Sequence, residues 1–271
     1  MLETPRSKEA LEKLCGFLSS EDNATKESNS IADLFTTSTQ ESFRSVEVEV
    51  AFLVSPPAHR VPLYFSLPHE VLPGTICVVT PSPQRKYKDK VLQLSEDGNS
   101  VAQRIKKVID TKKLNMKFVD PVAVRALANS FDHFILFGVK KYPRQLTGEF
   151  LGHQKPPVWM PQRGGFKANL LKAVNTVVFQ RRGHNAVTCR IGHTGLSLDQ
   201  LHENLQSFLA QMTNHVQGTT LEDILHIRVA GTNNTGKRAG LPIFVHTFRI
   251  PREVQENGDE EPTTKKRRKN E

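Results

Sequence analysis

Apolar residues recur along this chain with two periods, which predicts a mixture of helices and strands. Helical spacing predicts a helix over residues 5–20, capped by Ser7. Its apolar face consists of Ala10, Leu11, Leu14, Phe17 and Leu18. A Ser/Asn-rich loop over 21–30 and a short helix beginning over 31–35 follow. Val46, Val48 and Val50 then alternate with polar or small residues up to Phe52, which predicts a strand with one wet face.

From residue 59 to residue 158, short apolar strands alternate with basic helical stretches, a pattern typical of a three-layer α/β unit. Strands are predicted over 61–67, 75–80 and 134–138, with a further short strand at 118–119. Helices are predicted over 86–91, 101–109 and 121–129. The last of these has Asp120 as its cap and Pro121 in its first turn.

The pattern after residue 159 is mixed and favours an α+β arrangement. A helix over 167–174 precedes a hairpin of strands over 177–182 and 186–191, turned by Gly183-His184-Asn185. Ser197 and Gln200 form a capping box for a helix that ends at Met212. The apolar face of that helix consists of Leu198, Leu201, Leu205, Phe208, Leu209 and Met212. Strands over 224–230 and 243–248 follow and could share a sheet with 46–52.

These patterns predict one domain built from two chain segments, with another domain inserted between them. Residues 1–58 and 159–256 form the split α+β domain, residues 59–158 the inserted α/β domain, and 257–271 a disordered basic tail. Pro- and Gly-rich connections at 55–59 and 158–163 predict two rigid bodies with a variable relative angle.

The formal charge of +9 is unevenly distributed. Residues 1–58 carry 5 basic and 10 acidic residues, whereas residues 59–158 carry 16 and 8. Residues 159–256 carry 11 and 6, and the tail carries 5 and 4. The positive excess therefore lies in the predicted folded domains, which favours a polyanionic partner because neutralised phosphates release counterions. A solvated basic protein with no nucleic-acid role is the alternative.

Several function classes find no support in the sequence. There is no apolar run long enough to span a membrane and no secretory signal. Cys15, Cys77 and Cys189 are isolated, which predicts a reduced intracellular protein without a structural metal. The segment from Gly231 to Lys237 matches Gly-x4-Gly-Lys, but Arg238 stands where a hydroxyl is needed and a strand follows. We therefore predict a protein that is not an enzyme and has neither cofactor nor small-molecule substrate.

Basic residues at strand ends and turns of the split domain are the candidate contacts for RNA phosphates and riboses. The candidate RNA-binding residues are Phe43, Arg44, Arg181, Arg182, Arg190, Gly192, His193, Thr194, Arg228, Gly231, Thr232, Lys237 and Arg238. Of these, Arg44, Arg190 and the Lys237-Arg238 pair are expected to converge on one side. The alternative surface on the insertion carries Arg85, Lys86, Lys88, Lys106 and Lys107. The tail residues Lys265, Lys266, Arg267, Arg268 and Lys269 form a nuclear-import signal or an auxiliary RNA contact.

An ordered set of segments resembles the ribosomal L-one family, the RNA-binding proteins of the large-subunit stalk and their nucleolar relatives. The segments are 189–205, Phe43–Val50, Leu67-Pro68-His69 with 75–79, Phe131–Leu136, and Leu151-Gly152 with Met160-Pro161. Together they span about residues 40–250. The resemblance implies a two-domain fold in which a split α+β domain carries the main RNA site. The inserted domain would be a three-layer, Rossmann-like α/β unit.

Two departures from the stalk protein resemble the eukaryotic nucleolar branch of the family. The region 231–241 is longer and more basic than the stalk protein's Thr-Met-Gly-Pro turn, and residues 152–157 replace its Gly-Pro-Arg-Gly. The resemblance thus implies a factor of the nucleus and nucleolus that binds precursor ribosomal RNA and pre-ribosomal proteins. It would act as a monomer within a large ribonucleoprotein. The alternatives are a structural stalk protein and a nucleotide-dependent enzyme that uses the α/β domain.

Overall fold

The polypeptide forms two sheets joined by a two-stranded ribbon, with helices packed on the sheets. The computed structural model describes residues 4–26, 43–58, 62–148, 151–152, 155–216, 219–233 and 235–247. The short helix predicted to begin over 31–35 and the tail 257–271 lie outside these residues.

The helices and strands follow one another along the whole described chain. The helices are α1 Thr4–Lys26, α2 Gln84–Glu96, α3 Ser100–Arg104, α4 Thr111–Lys117, α5 Pro121–Ser130, α6 Phe166–Val174 and α7 Leu198–His215. The strands are β1 Ser45–Phe52, β2 Leu63–Ser66, β3 Ile76–Thr80, β4 Ile105–Asp110, β5 His133–Phe137, β6 Val158–Met160, β7 Thr176–Phe179, β8 Ala186–His193, β9 Ile224–Thr232 and β10 Arg238–Val245.

The first sheet has the order β10-β9-β1-β8 and is antiparallel throughout, so β1 lies between strands that come from the other half of the chain. Val46, Val48 and Val50 are buried beneath α1 and α7, as their alternation predicts. Ser197 and Gln200 form the predicted capping box at the start of α7. The opposite face carries the charged residues of β1, including Glu47 and Glu49. We call α1, β1, β2, β7–β10 and α7 the split domain.

The second sheet has the order β4-β3-β5-β6 and is entirely parallel. Ile76 and Val78 of β3 pack into one apolar cluster with α2, α3 and α6, whereas Cys77 and Val79 pack into another with α4 and α5. Both faces of the sheet are therefore covered by helices, which explains why its central strands are apolar without interruption. We call β3–β6 and α2–α6 the inserted domain. The predicted fold class, a split α+β domain with an inserted three-layer α/β domain, is confirmed.

The crossings between the domains differ from the predicted boundaries at 58/59 and 158/159. Strand β6 pairs with β5, and α6 packs in the inserted domain, so the chain does not leave that domain at residue 158. The two crossings instead lie side by side near residues 67–72 and 174–176. There the Leu67 amide donates to the Asn175 carbonyl at 2.8 Å, and the Val71 amide donates to the Val174 carbonyl at 3.0 Å.

The predicted hairpin over 177–191 is wrong, because β7 pairs with β2 while β8 pairs with β1. The reason is burial on both faces of the β2–β7 ribbon. Phe65 packs in the core of the split domain, and its neighbour Tyr64 packs against the inserted domain. A hairpin of β7 with β8 would not place these side chains between the two cores.

Several other predictions about elements also fail. The helix predicted over 101–109 ends at Arg104, and β4 follows it, because Val108 and Ile109 pack on opposite faces of the parallel sheet. The segment 118–119 is not a strand. Ser7 lies inside α1, where its hydroxyl is 2.9 Å from Nε2 of His202, so it is not a cap. Leu198, predicted on the apolar face of α7, is exposed.

Gly192 allows α7 to approach the sheet closely. An added Cβ would lie 2.5 Å from Cδ2 of Leu201, a fully buried side chain. We expect Gly192→Ala to reduce the free energy of unfolding by about 1–3 kcal/mol, measured by urea denaturation. Gly16→Ala on α1 is the control, because its Cβ meets no atom within 4 Å. That change should stabilise the protein by about 0.5–1 kcal/mol. Equal effects at the two sites would contradict this interpretation.

Candidate nucleic-acid interface

Four strand termini meet at one end of the first sheet. Ser45 of β1 pairs with His193 of β8, and Thr232 at the end of β9 pairs with Arg238 at the start of β10. The turn after β8 is joined to the chain before β1, since the Thr194 amide donates to the Arg44 carbonyl at 3.0 Å. The Arg44 amide in turn donates to Oγ1 of Thr194 at 3.1 Å. Phe43, Arg44, His193, Thr194 and Thr232 are therefore neighbours.

Phe43 presents a partly exposed aromatic ring at this end of the sheet. Its ring centroid lies 5.0 Å from that of His193, and 42% of its surface is exposed. The His193 ring accepts a hydrogen bond at Nδ1 from the Gly195 amide at 3.1 Å. Gly195 must lack a side chain, because a Cβ there would lie 2.5 Å from the Phe43 ring. The turn thus fixes an aromatic face suited to stacking on a nucleobase.

Two of the candidate glycines face the helices rather than the open surface. A Cβ on Gly192 would meet Leu201 of α7, and a Cβ on Gly231 would meet Leu18 of α1. Both residues are buried. At these two positions glycine allows the helices to pack closely against the sheet.

Two of the predicted arginines, Arg228 and Arg238, are already paired with carboxylates of β1 on the open face. Arg228 forms a hydrogen-bonded ion pair with Glu49. Arg238 lies 3.0 Å from Oε2 of Glu47 and 3.8 Å from Oε2 of Glu49. Charge on these two arginines is thus partly neutralised within the sheet. Replacing Arg238 would leave the half-buried Glu47 without this partner and would therefore destabilise the sheet.

The remaining basic candidates occupy three different places. Arg190 is half-buried on β8, directly opposite Glu47 in the register. Lys237 lies in the β9–β10 turn, where its amide donates to Oδ1 of Asn233 at 2.9 Å. Arg181 and Arg182 precede β8, at the opposite end of the sheet. Arg182 is engaged there with the Gly152 carbonyl at 2.8 Å. The structure therefore does not bring Arg181 and Arg182 together with the other candidates.

A cavity of about 620 Å³ opens between the two domains beside this end of the sheet. The split domain contributes Arg44, Arg190 and Thr232 to its lining, together with Phe43 and Ser45. The inserted domain contributes Pro73, Gly74, Thr75, Arg104, Lys106, Asp132, His133 and Lys155. We call this cavity the interdomain cleft. Arg44 and Arg190 do converge there, as expected, whereas Lys237 and Arg238 are not part of its lining.

The interior of the cleft favours neutral histidines. The pKa of His133 is lowered to about 3, chiefly by burial and in addition by the positive charges of Arg190 and Lys155. A hydrogen bond to the Pro73 carbonyl and the carboxylate of Asp132 act in the opposite direction. Burial likewise lowers the pKa of His193 to about 4, with Arg104 and Arg190 adding to the effect. Both rings are therefore uncharged near neutral pH.

Sequence reasoning missed the contribution of the inserted domain to this cleft. Asp132 holds the loop before β3, since the amide and hydroxyl of Thr75 each donate to its Oδ2 at 2.8 Å. Burial acts to raise the pKa of this carboxyl, but these two bonds, together with the charges of His133 and Lys155, lower it. Lys155 donates to the carbonyls of Ala128 and Phe131 at the C-terminus of α5. The segment Phe131-Asp132-His133, part of the family resemblance, was the one available signal for this region.

The segment 189–205, part of the family resemblance, also has a structural role. Asn204 is fully buried, and its Oδ1 accepts a hydrogen bond from the His69 amide at 2.9 Å. Its amide group donates to the Ile191 carbonyl at 2.8 Å. Glu203 contacts the His69 ring at 2.6 Å. The segment Leu67-Pro68-His69 and the first turns of α7 therefore contact each other beside the domain crossing.

A family model for the Ribosomal protein L1p/L10e family matches residues 20–234, most of the chain. The chain belongs to this family. Proteins of the ribosomal L-one family are RNA-binding ribosomal proteins and are generally not enzymes. No curated protein gives a significant match.

The described geometry bears on the alternative functions as well. In the described residues, the Gly-x4-Gly-Lys segment spans the end of β9 and the turn before β10, and the element that follows it is a strand rather than a helix. In the described part of the chain, no cluster of three or more His, Cys, Asp or Glu side chains could hold a metal ion. The described helices are each too short or too polar to cross a bilayer.

The two buried histidines should make stability depend on pH. Their folded pKa values lie below the ordinary value of 6.5, so the unfolded chain takes up protons first and stability falls as pH drops from 6.5 toward 4. Each histidine should contribute about 1.4 kcal/mol of loss per pH unit within this window. We expect the double change His133→Asn and His193→Asn to flatten the dependence measured by denaturation at several pH values. A flattening of equal size with the exposed His184→Asn would contradict this assignment.

Proposed function

We propose that this chain is a non-catalytic ribosome-assembly factor of the nucleolus that binds precursor ribosomal RNA within pre-ribosomal particles. The main support comes from the end of the first sheet, where Phe43 lies beside Arg44 and Thr194. The chain also belongs to a family of RNA-binding ribosomal proteins. An aromatic face next to a guanidinium can stack on one base while it neutralises the adjacent phosphate.

Several features support assembly rather than a permanent place in the stalk. The β9–β10 turn contains Lys237 and is longer and more basic than the Thr-Met-Gly-Pro turn of the stalk protein. The sequence also contains the basic run Lys265–Lys269, suited to nuclear import. Family membership alone is equally consistent with a structural stalk protein, which is the second candidate function.

Gradient sedimentation of a cell extract separates the two functions. An assembly factor is expected with early pre-ribosomal particles, and a stalk protein with mature subunits and polysomes. The tagged full chain should be located by immunoblotting across the gradient, alongside a marker of each particle. Recovery mainly in mature subunits would overturn the assembly role, and recovery only as free protein would overturn both.

We call the end of the first sheet that carries Phe43, Arg44, Thr194 and Lys237 the RNA face. Single substitutions test it. We expect Arg44→Ala and Lys237→Ala each to weaken RNA binding and to reduce the log–log salt slope by about one unit for each phosphate that is no longer neutralised. The measurement is filter binding at several salt concentrations with a transcript of precursor ribosomal RNA. Arg181→Ala is the matched control, because it removes one charge from the opposite end of the same sheet. Equal losses of affinity in all three variants would contradict the assignment of the face.

A further inference from the structure

The interdomain cleft carries an excess of positive charge from both of its sides. Arg44 and Arg190 belong to the split domain, whereas Arg104, Lys106 and Lys155 belong to the inserted domain. Among the described residues of the lining, Asp132 is the single carboxylate. Five permanent cations therefore surround a space large enough for a phosphate group and part of a sugar.

The carboxylates near the cleft leave most of this charge uncompensated. Oδ2 of Asp132 already accepts two hydrogen bonds from Thr75. Glu70 is paired with Arg104, which also donates to the Leu72 carbonyl at 3.0 Å. Within the described part of the chain, neither Arg190 nor Lys106 has a carboxylate at ion-pair distance. Neither charge is therefore held in a direct ion pair, although Glu47 and Asp132 act on Arg190 from a greater distance.

Burial makes two of the charges in the cleft, those of Arg190 and Lys155, more effective toward an anion. Arg190 is half-buried, and loss of solvent lowers its pKa, while Glu47 and Asp132 partly offset this effect. Lys155 experiences the same loss of solvent and is fixed in place by the two carbonyls of α5. A charge that is shielded from water interacts more strongly with a ligand than the same charge on an open surface.

We propose that the interdomain cleft binds a phosphate of the RNA backbone, held jointly by Arg190 of the split domain and Lys106 of the inserted domain. This proposal rests on the proposed function, whose RNA face lies at the neighbouring end of the first sheet. The bound phosphate bridges the two domains. Without it, like charges face one another across the cleft, so a bound phosphate reduces the repulsion between the two domains.

A double-mutant cycle on the full chain tests whether one phosphate is shared. The probe is a transcript of precursor ribosomal RNA, and the variants are Lys106→Ala, Arg190→Gln and the two combined. Each single change should weaken binding about tenfold at low salt and lower the salt slope by about one unit. The combined change should weaken binding by clearly less than the product of the single effects, because both side chains contact the same group.

The control cycle replaces Lys106→Ala by Lys167→Ala. Lys167 is an exposed lysine in the first turn of α6 in the same domain, and it lies outside the cleft lining. It should have little effect and should combine additively with Arg190→Gln. Lys106→Arg should retain binding, since the charge is kept. Circular dichroism checks the fold of each variant, and Arg190→Lys, which keeps the charge but loses the planar guanidinium, takes the place of Arg190→Gln if that variant does not fold.

The outcomes separate this proposal from the function on which it rests. If the wild-type chain binds the transcript but Lys106→Ala behaves like Lys167→Ala, the phosphate site in the cleft is wrong and the RNA face stands. Strictly additive effects in the Lys106 cycle would also overturn the shared phosphate. If the wild-type chain does not bind the transcript, the proposed function fails and the cleft site fails with it.

Discussion

The buried amide of Asn204 joins the elements on which the remaining architecture depends. Through it, α7 holds both β8 at Ile191 and the first domain crossing at His69. That crossing is bonded in turn to the second one through Leu67 and Asn175. If the amide were removed, buried polar groups would remain unsatisfied, at a cost of about 1–3 kcal/mol each. One side chain therefore fixes where the inserted domain leaves the split domain and how the turn after β8 is placed.

The arrangement of charge follows from strand register more than from the number of basic residues. Glu47 and Glu49 alternate with valines on β1, so their carboxylates lie on the open face beside Arg228 and Arg238. Those two arginines stabilise the sheet, and their positive charge is partly neutralised there. Arg190 and Lys106, which have no carboxylate within ion-pair distance among the described residues, lie instead where the two domains meet.

Local patterns predicted the local elements well. The alternation of Val46, Val48 and Val50 predicted β1, and Ser197 with Gln200 predicted the start of α7. Strand β4 escaped prediction because Lys106 and Lys107 interrupt its apolar pattern at the edge of the sheet. The partner of β7 could not be predicted either, because pairing with β2 depends on burial between two distant cores. Residues of the cleft come from widely separated segments of the chain, and no spacing in the sequence links them.

The shared ribbon of β2 and β7 limits how independent the two domains are. Its strands present Phe65 and Phe179 to one core and Tyr64 and Val178 to the other. Removal of the inserted domain would leave an apolar strip of the split domain in contact with water, an aggregation hazard. If relatives exchanged the inserted domain, the new domain would have to pack on the same apolar strip. Otherwise the strip itself would have to change together with the domain that covers it. The junction is therefore a stronger constraint on sequence divergence than the outer surface of either domain.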